Sequence, residues 1–138
     1  MAGTFKLRVV APEGQILRED CEFVVLPGEV GELGILRNHA PLIAGLRVGV
    51  VRYTIDAKIK LMAISGGFVE VADNVVSLLA DTAEPGDTID LKRALEAKER
   101  AEKRLSHPGG DMDLRRAELA LRRALARISA AEGGAKYH

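Results

Sequence analysis

Between Leu114 and Ala131 five arginines (Arg115, Arg116, Arg122, Arg123 and Arg127) stand against a single acid, Glu118. Glu118 follows Arg115 by three residues and precedes Arg122 by four, spacings at which helical side chains meet, so those two are expected to be locally paired. Arg123 and Arg127 have no acid three or four positions away. Being four apart they share a helix face, and together they offer two guanidinium forks to an external anion, either a phosphate or an acidic protein surface. A solvated basic face is the competing reading of the same pattern.

Other chemistry is thin. No nucleophile elbow, P-loop or zinc-ligand spacing occurs, and the three histidines, His39, His107 and His138, are isolated in sequence. His39 has the ring of a general base, yet a loop histidine held for shape explains it better. Ser65-Gly66-Gly67 has no base nearby in sequence, and its glycines suit a bulge or close packing. The single Cys21 cannot close an intrachain disulfide, and its Glu-Asp-Cys-Glu setting disfavours a thiolate, so it is expected to be inert.

These residues sit in a chain of 138, 47% hydrophobic and 29% charged, which is long enough for one sizeable core. Aromatic residues make up 4% with no Trp, and the formal net charge is +0, which argues against nucleic acid as a partner. The charge is unevenly spread: residues 1 to 86 hold 8 basic and 11 acidic groups, while 87 to 138 hold 12 and 9. The longest apolar runs, such as Leu61 to Val69, fall far short of the ~20 residues of a membrane helix, and no secretory leader follows Met1. The expectation is a cytosolic protein without direct membrane insertion.

The N-terminal part reads as strands. Thr4 to Ala11 sets Phe5, Leu7 and Val9 against Lys6, Arg8 and Val10. Pro12-Glu13-Gly14 turns it, Gln15 to Arg18 returns, and Cys21 to Leu26 forms another strand stopped by Pro27-Gly28. Gly28 to Leu42 reads as shaped loop with short strands. Arg47 to Thr54, Lys58 to Ile64, Gly67 to Ala72 and Val75 to Ala80 follow as strands, with Asp73-Asn74 as a two-residue hairpin turn. The pattern predicts a small antiparallel β-sandwich or barrel of roughly 85 residues.

At Glu84-Pro85-Gly86 the period changes, because Pro cannot donate to a strand ladder, and Asp87 or Thr88 is placed to cap a helix. Residues 1–86 and 87–138 are therefore expected to be separate domains. Leu91, Ala94, Leu95, Ala101 and Leu105 form one stripe on a helix from Thr88 to Ser106, which Ser106 to Gly110 ends. Asp111 is expected to cap a second helix, with Leu114, Ala117, Leu121, Ala124, Leu125, Ile128 and Ala131 as its stripe. The two should pack as an antiparallel hairpin whose narrow Ala/Leu seam leaves it movable, before a frayed tail from Gly133 to His138.

Three stretches in this order resemble one family. They are Gly31-Glu32-Leu33-Gly34-Ile35-Leu36 with His39-Ala40-Pro41-Leu42, then Ser65-Gly66-Gly67-Phe68-Val69-Glu70-Val71, then Ile89-Asp90 to Arg93-Ala94 with Ala97-Lys98 to Ala101-Glu102 behind it. Over nearly its whole length the chain resembles the epsilon subunit of the bacterial rotary (F-type) ATP synthase. One departure is Arg37, which stands where the family commonly has Pro.

The resemblance implies a non-catalytic rotor subunit that helps couple proton flow to ATP synthesis. Its β-sandwich would bind the gamma subunit of the central stalk and the membrane rotor ring, holding the chain peripherally at the cytoplasmic face of the cell membrane. Its hairpin would fold down or extend and inhibit ATP hydrolysis. Glu32 would face the membrane ring and His39 the gamma contact, while Arg115, Arg116 and Arg122 would meet acidic surfaces of the catalytic alpha and beta subunits. No cofactor is implied, but ATP is, as a regulatory ligand. Ile89, Asp90, Arg93 and Ala94 match the nucleotide-binding pattern of the family, Arg123 and Arg127 match its arginine pair, and Glu84 and Arg100 are further candidates. Rival readings are the same rotor subunit without an ATP site, a stand-alone nucleotide sensor, and a small hydrolase using His39.

Overall fold

The computed structural model describes residues 3–107 and 109–133, without the side chains of residues 111 and 112. Asp111, expected to cap the second helix, is its first residue, since the first helical bond runs from the Leu114 N–H to the Gly110 carbonyl; Gly133, expected in the tail, is its last, and the tail from Gly134 to His138 lies outside the described residues. The strands are β1 (Phe5–Ala11), β2 (Gly14–Cys21), β3 (Phe23–Gly28), β4 (Gly31–Leu36), β5 (Leu42–Ile55), β6 (Lys58–Ala72), β7 (Val75–Ala80) and β8 (Ala83–Pro85). A 3₁₀ turn (Gly86–Thr88) then leads to helices α1 (Leu91–Ser106) and α2 (Asp111–Gly133).

The sheet order is β2-β1-β7-β6-β5-β3-β4, with β8 pairing to β6, and all pairs are antiparallel except β1 with β7. Strands from opposite ends of that order share one buried cluster: Leu7 and Val9 of β1 and Cys21 of β2 with Val24 and Leu26 of β3 and Ile35 of β4. Apolar faces that distant in the order meet only if the sheet folds over itself, which makes it a sandwich. The expected β-sandwich followed by two helices is the fold observed.

The fold-over is visible in the long central hairpin. Met62 and Ile64 of β6 point into the sandwich core, but so do Val69 and Val71, so the inward face switches from even to odd residues between them. Gly66 and Gly67 lie at the switch with φ of +110° and +137°. A side chain at Gly67 would also collide with the Leu79 carbonyl. The glycines expected to allow a bulge or close packing thus turn a corner within one continuous strand, where the sequence suggested two.

Other details depart from expectation. Cys21 ends β2 opposite Phe5, and does not open the third strand, because Glu22 bends out to accept a 2.8 Å hydrogen bond from the Ala57 N–H at the β5–β6 turn. Pro27 and Gly28 do not stop β3: Pro27 sits where β3 and β5 are out of register between Val25 and Gly28, so its missing N–H breaks no regular ladder. The Asp73-Asn74 turn is as read, with φ of 50° and 61°, and Asp56-Ala57 makes the same kind of turn between β5 and β6. Ala83 to Pro85 does pair, against Ile64 to Met62 of β6, because Pro85 closes a short terminal strand.

The helix start also shifts. Asp90, rather than Asp87 or Thr88, caps α1, its carboxylate accepting from the Arg93 N–H at 3.2 Å. Thr88 instead donates its hydroxyl to the Pro85 carbonyl at 2.7 Å, tightening the 3₁₀ turn. Within the hairpin the buried residues are alanines: Ala94 and Ala101 on α1, Ala117 and Ala124 on α2. Leu95 and Leu125, expected on the buried stripe, are each 45% exposed, because small residues bring the axes together and leave long side chains at the margins.

The alanine seam does not hold the hairpin alone. Ala126 and Ala130 of α2 pack on Leu61 and Ala63, the outward-facing residues of β6, with Ile89 at the edge. This second alanine face was not read from the sequence. Gly86 lies so close beneath Ala130 that an added Cβ would strike the Ala130 carbonyl. Gly86→Ala should therefore lift α2 from the sandwich at a cost of about 1–3 kcal/mol, the usual range for overpacking. Faster amide exchange along α2 with unchanged protection in β1 and β7 is the expected result.

Two buried acids predict an alkaline limit. Burial, reinforced by Glu19, Asp20 and Glu22, pushes the Cys21 thiol from 9.0 up to about 12. Burial and then Asp87 push Tyr53 from 10.0 up to about 12. The unfolded chain gives up these protons first, so the stability they contribute is complete below about pH 9 and is lost as pH rises towards about 12. Urea midpoints measured across that window should fall, with a shallower slope in Tyr53→Phe.

Candidate functional site

A cleft of about 380 Å³ opens where three parts of the chain meet. Its floor is β6 at Ala63 to Ser65 with Thr82 and Glu84, and its walls are α1 through Arg100 and Arg104 and α2 through Arg123 and Arg127. Arg100 with Arg104, and Arg123 with Arg127, are four-residue pairs on single helix faces, and alanines that line the cleft with them (Ala97, Ala101, Ala120, Ala124) keep the space open. Ser65 and Thr82 hydroxyls, 2.6 Å apart, tie β6 to the segment before β8.

Four expected residues converge here: Glu84, Arg100, Arg123 and Arg127. Arg104 joins them and was missed, although its spacing from Arg100 was the available signal. Ile89, Asp90, Arg93 and Ala94 do not line the cleft. Ile89 packs beside Leu61 and Ala130, Asp90 is engaged in capping, Arg93 is exposed and Ala94 is fully buried.

The electrostatics are lopsided, with four guanidinium groups facing one carboxylate. Arg127 does have an acid, supplied by β8: its Nε lies 3.0 Å from Glu84 Oε1 and its Nη2 donates to Oε2 at 3.3 Å. That partner is 43 residues away and was invisible to local spacing. Conversely, none of the described ion pairs joins Glu118 to Arg115 or Arg122, since on an exposed helix face such pairs gain little over hydration. Chemically, the cleft can hold an anion with several oxygens by forked hydrogen bonds.

The remaining candidates are dispersed. Glu32 is exposed near the β3–β4 turn and pairs with Arg52 at 3.1 Å. His39 is exposed, with Nδ1 2.7 Å from the Ala40 carbonyl. Arg115, Arg116 and Arg122 are exposed along α2. Among the described residues no group of three or more His, Cys, Asp or Glu is arranged to hold a metal, and no helix is long and apolar enough to cross a membrane.

Comparison with known proteins places this geometry. The β-sandwich domain of the ATP synthase Delta/Epsilon chain matches residues 4–86, and the long alpha-helix domain of the same chain matches residues 87–132. The chain belongs to the ATP synthase delta/epsilon chain family, and its relatives there are bacterial epsilon chains. It is 67% identical to the ATP synthase epsilon chain of Desulfitobacterium hafniense over 106 residues, 77% of this chain and 80% of that one. Against the epsilon chain of Syntrophomonas wolfei it is 57% identical over 103 residues, 74% and 75% of the two chains. A chain in the cryo-EM structure of Euglena gracilis mitochondrial ATP synthase, OSCP/F1/c-ring, superposes with a TM-score of 0.80 at 26% identity, covering 94% of this chain and 81% of that one.

The Asp90 cap sets the direction in which α1 leaves the joint, and so where Arg100 and Arg104 point. Asp90→Ala should cost about 1 kcal/mol, the usual loss for an N-cap, read as a lower thermal midpoint and faster exchange in the first turn of α1.

Proposed function

We propose that the chain is the non-catalytic epsilon subunit of a rotary ATP synthase, part of the central stalk through which proton flow is coupled to ATP synthesis. In this reading its sandwich holds the gamma subunit and the membrane rotor ring, and its hairpin restrains ATP hydrolysis and responds to ATP. The observation that carries the ligand part is the arginine cleft, whose walls come from the sandwich, α1 and α2 together. Such a site is complete only while the hairpin is packed.

Three surfaces support the partner assignments. Phe68 and Leu79 are directly opposite each other on β6 and β7 and 60% and 55% exposed, with Val10 paired to Leu79 on β1. An apolar row of this kind suits docking of a protein helix, here the gamma subunit, with His39 as a further contact. At the β3–β4 turn Val30 is fully exposed beside Glu32, suiting the membrane ring. Arg115, Arg116 and Arg122, exposed along α2, would meet acidic surfaces of the catalytic alpha and beta subunits. Attachment is then peripheral, at the cytoplasmic face of the cell membrane.

ATP acts here as a regulator and is not turned over. Its phosphates would lie on Arg123, Arg127 and Arg100, while Ile89, Asp90, Arg93 and Ala94, which do not line the cleft, would position the helices that carry those arginines. A ligand that binds only the packed form stabilises it by about 2.7 kcal/mol at a hundredfold excess over its dissociation constant, which makes opening about a hundredfold rarer. High ATP favours the retracted hairpin, and depletion frees it to extend and act as the brake on hydrolysis.

The test has two parts. The chain should capture the gamma subunit in a pull-down, and loss of that capture by Phe68→Ser would locate the surface. Calorimetric titration with ATP should show binding that Arg123→Ala and Arg127→Ala abolish and Arg115→Ala leaves intact. Gamma capture without ATP binding at millimolar nucleotide would leave a rotor subunit whose arginines serve protein contacts, while deletion of residues 88–138 should raise hydrolysis by the assembled enzyme.

A further inference from the structure

Among the cleft arginines, Arg127 is the one whose charge is already met. Its partner Glu84 stands on β8 and Arg127 on α2, so this ion pair crosses from sandwich to hairpin. It is loosely seated. Nη2 makes a hydrogen bond of 3.3 Å, but the buried Nε, although 3.0 Å from the carboxylate, finds no aligned acceptor. Two parallel bonds, the strong form of an arginine–carboxylate contact, are therefore not formed. Both side chains remain partly open to solvent, at 28% and 38% exposure, so water and ions reach the pair. Arg100, Arg104 and Arg123 line the same space and have no ion-pair partner among the described residues.

We propose that Glu84 is a built-in competitor for the cleft: without ligand its carboxylate latches α2 to the sandwich through Arg127, and an entering polyphosphate displaces it. This rests on the reading of the cleft as a polyphosphate site, and adds to it the regulation of that site. The physical basis is a contest for one guanidinium. A triphosphate carries several negative charges and meets four arginines at once, where Glu84 offers one charge to one partner. With phosphate in place the Glu84 carboxylate is repelled, and it turns away towards solvent, to which it is already partly open. The latch keeps the hairpin near its packed position when the cleft is empty, and the same contact sets a threshold that ligand must exceed. Removing the charge of Glu84 therefore has two opposed effects: a looser hairpin without ligand and tighter anion binding.

The experiment uses the full chain, Glu84→Gln, which keeps the side-chain shape, and inorganic tripolyphosphate as the probe, so that no contact to a base intervenes. Amide exchange across residues 120–130 without anion should quicken about fivefold, the scale of a partly exposed ion pair. Exchange reports rare openings, so the packed form still predominates in both proteins, and calorimetry should show tripolyphosphate bound about fivefold more tightly by the variant. Asp20→Asn, which removes the partner of Lys6 on β1 away from the cleft, should change neither reading. Unchanged exchange in Glu84→Gln overturns the latch whether or not the cleft takes anions. Equal or weaker tripolyphosphate binding by the variant overturns the competition even where exchange quickens. No binding by either protein overturns the proposal through the anion reading beneath it, a failure the exchange measurement identifies because it needs no ligand.

Discussion

The helical half of the molecule depends on one small contact, Ala126 and Ala130 of α2 resting on Leu61 and Ala63 of β6 with Gly86 pressed beneath Ala130. It uses the smallest side chains that still exclude water. At about 0.8 kcal/mol for each buried methyl, the two alanines contribute only a kcal/mol or two, while every residue ordered costs about as much in backbone freedom. The sandwich is different in kind: Phe5, Leu7, Leu26, Met62, Ile64 and Leu78 are fully enclosed, and its strands are joined by a continuous ladder. One side of the joint is therefore firm and the other close to balance. A fold assembled in this way can release its helices without unfolding its core.

The same choice of alanine shapes the cleft. Ala97 and Ala101 on one helix and Ala120 and Ala124 on the other leave a gap of about 380 Å³ where leucines would have closed it. Into that gap the arginines project from their four-residue spacing, gathering positive charge at the place where the apolar seam is thinnest. Mutual repulsion among them works against the packed hairpin, and Glu84 offsets it at one point. Packing and electrostatics are thus set against each other across the joint. An anion in the cleft, internal or external, would tip that balance.

How much of this was legible in the sequence follows from the range of the interaction concerned. Period-two alternation located β1 and β7, and Asp73-Asn74 announced its own turn, because both are local. The corner at Gly66-Gly67 was half visible: glycines signalled an irregularity, but that one strand continues through it depends on β5 pairing along its whole length. Cys21, Pro27 and the cap at Asp90 were misplaced by one to three positions, since a neighbouring strand or turn fixed each of them. Arg127 could be seen to lack a helical partner, yet Glu84 belongs to a different element and only the fold brings it near.

That distinction bears on what kind of residue can regulate this chain. Of the residues expected from the resemblance to hold nucleotide, Ile89, Asp90 and Ala94 are engaged in building the joint: an apolar anchor under α2, a helix cap, and a buried alanine in the seam. The residues that converge on open space are Glu84, Arg100, Arg104, Arg123 and Arg127, drawn from three elements. A contiguous motif can position the helix, whereas sensing whether the helix is packed requires groups on both sides of the joint. Only a site divided in this way loses its geometry when the hairpin leaves. By linkage, only such a site can hold the hairpin in place by being filled.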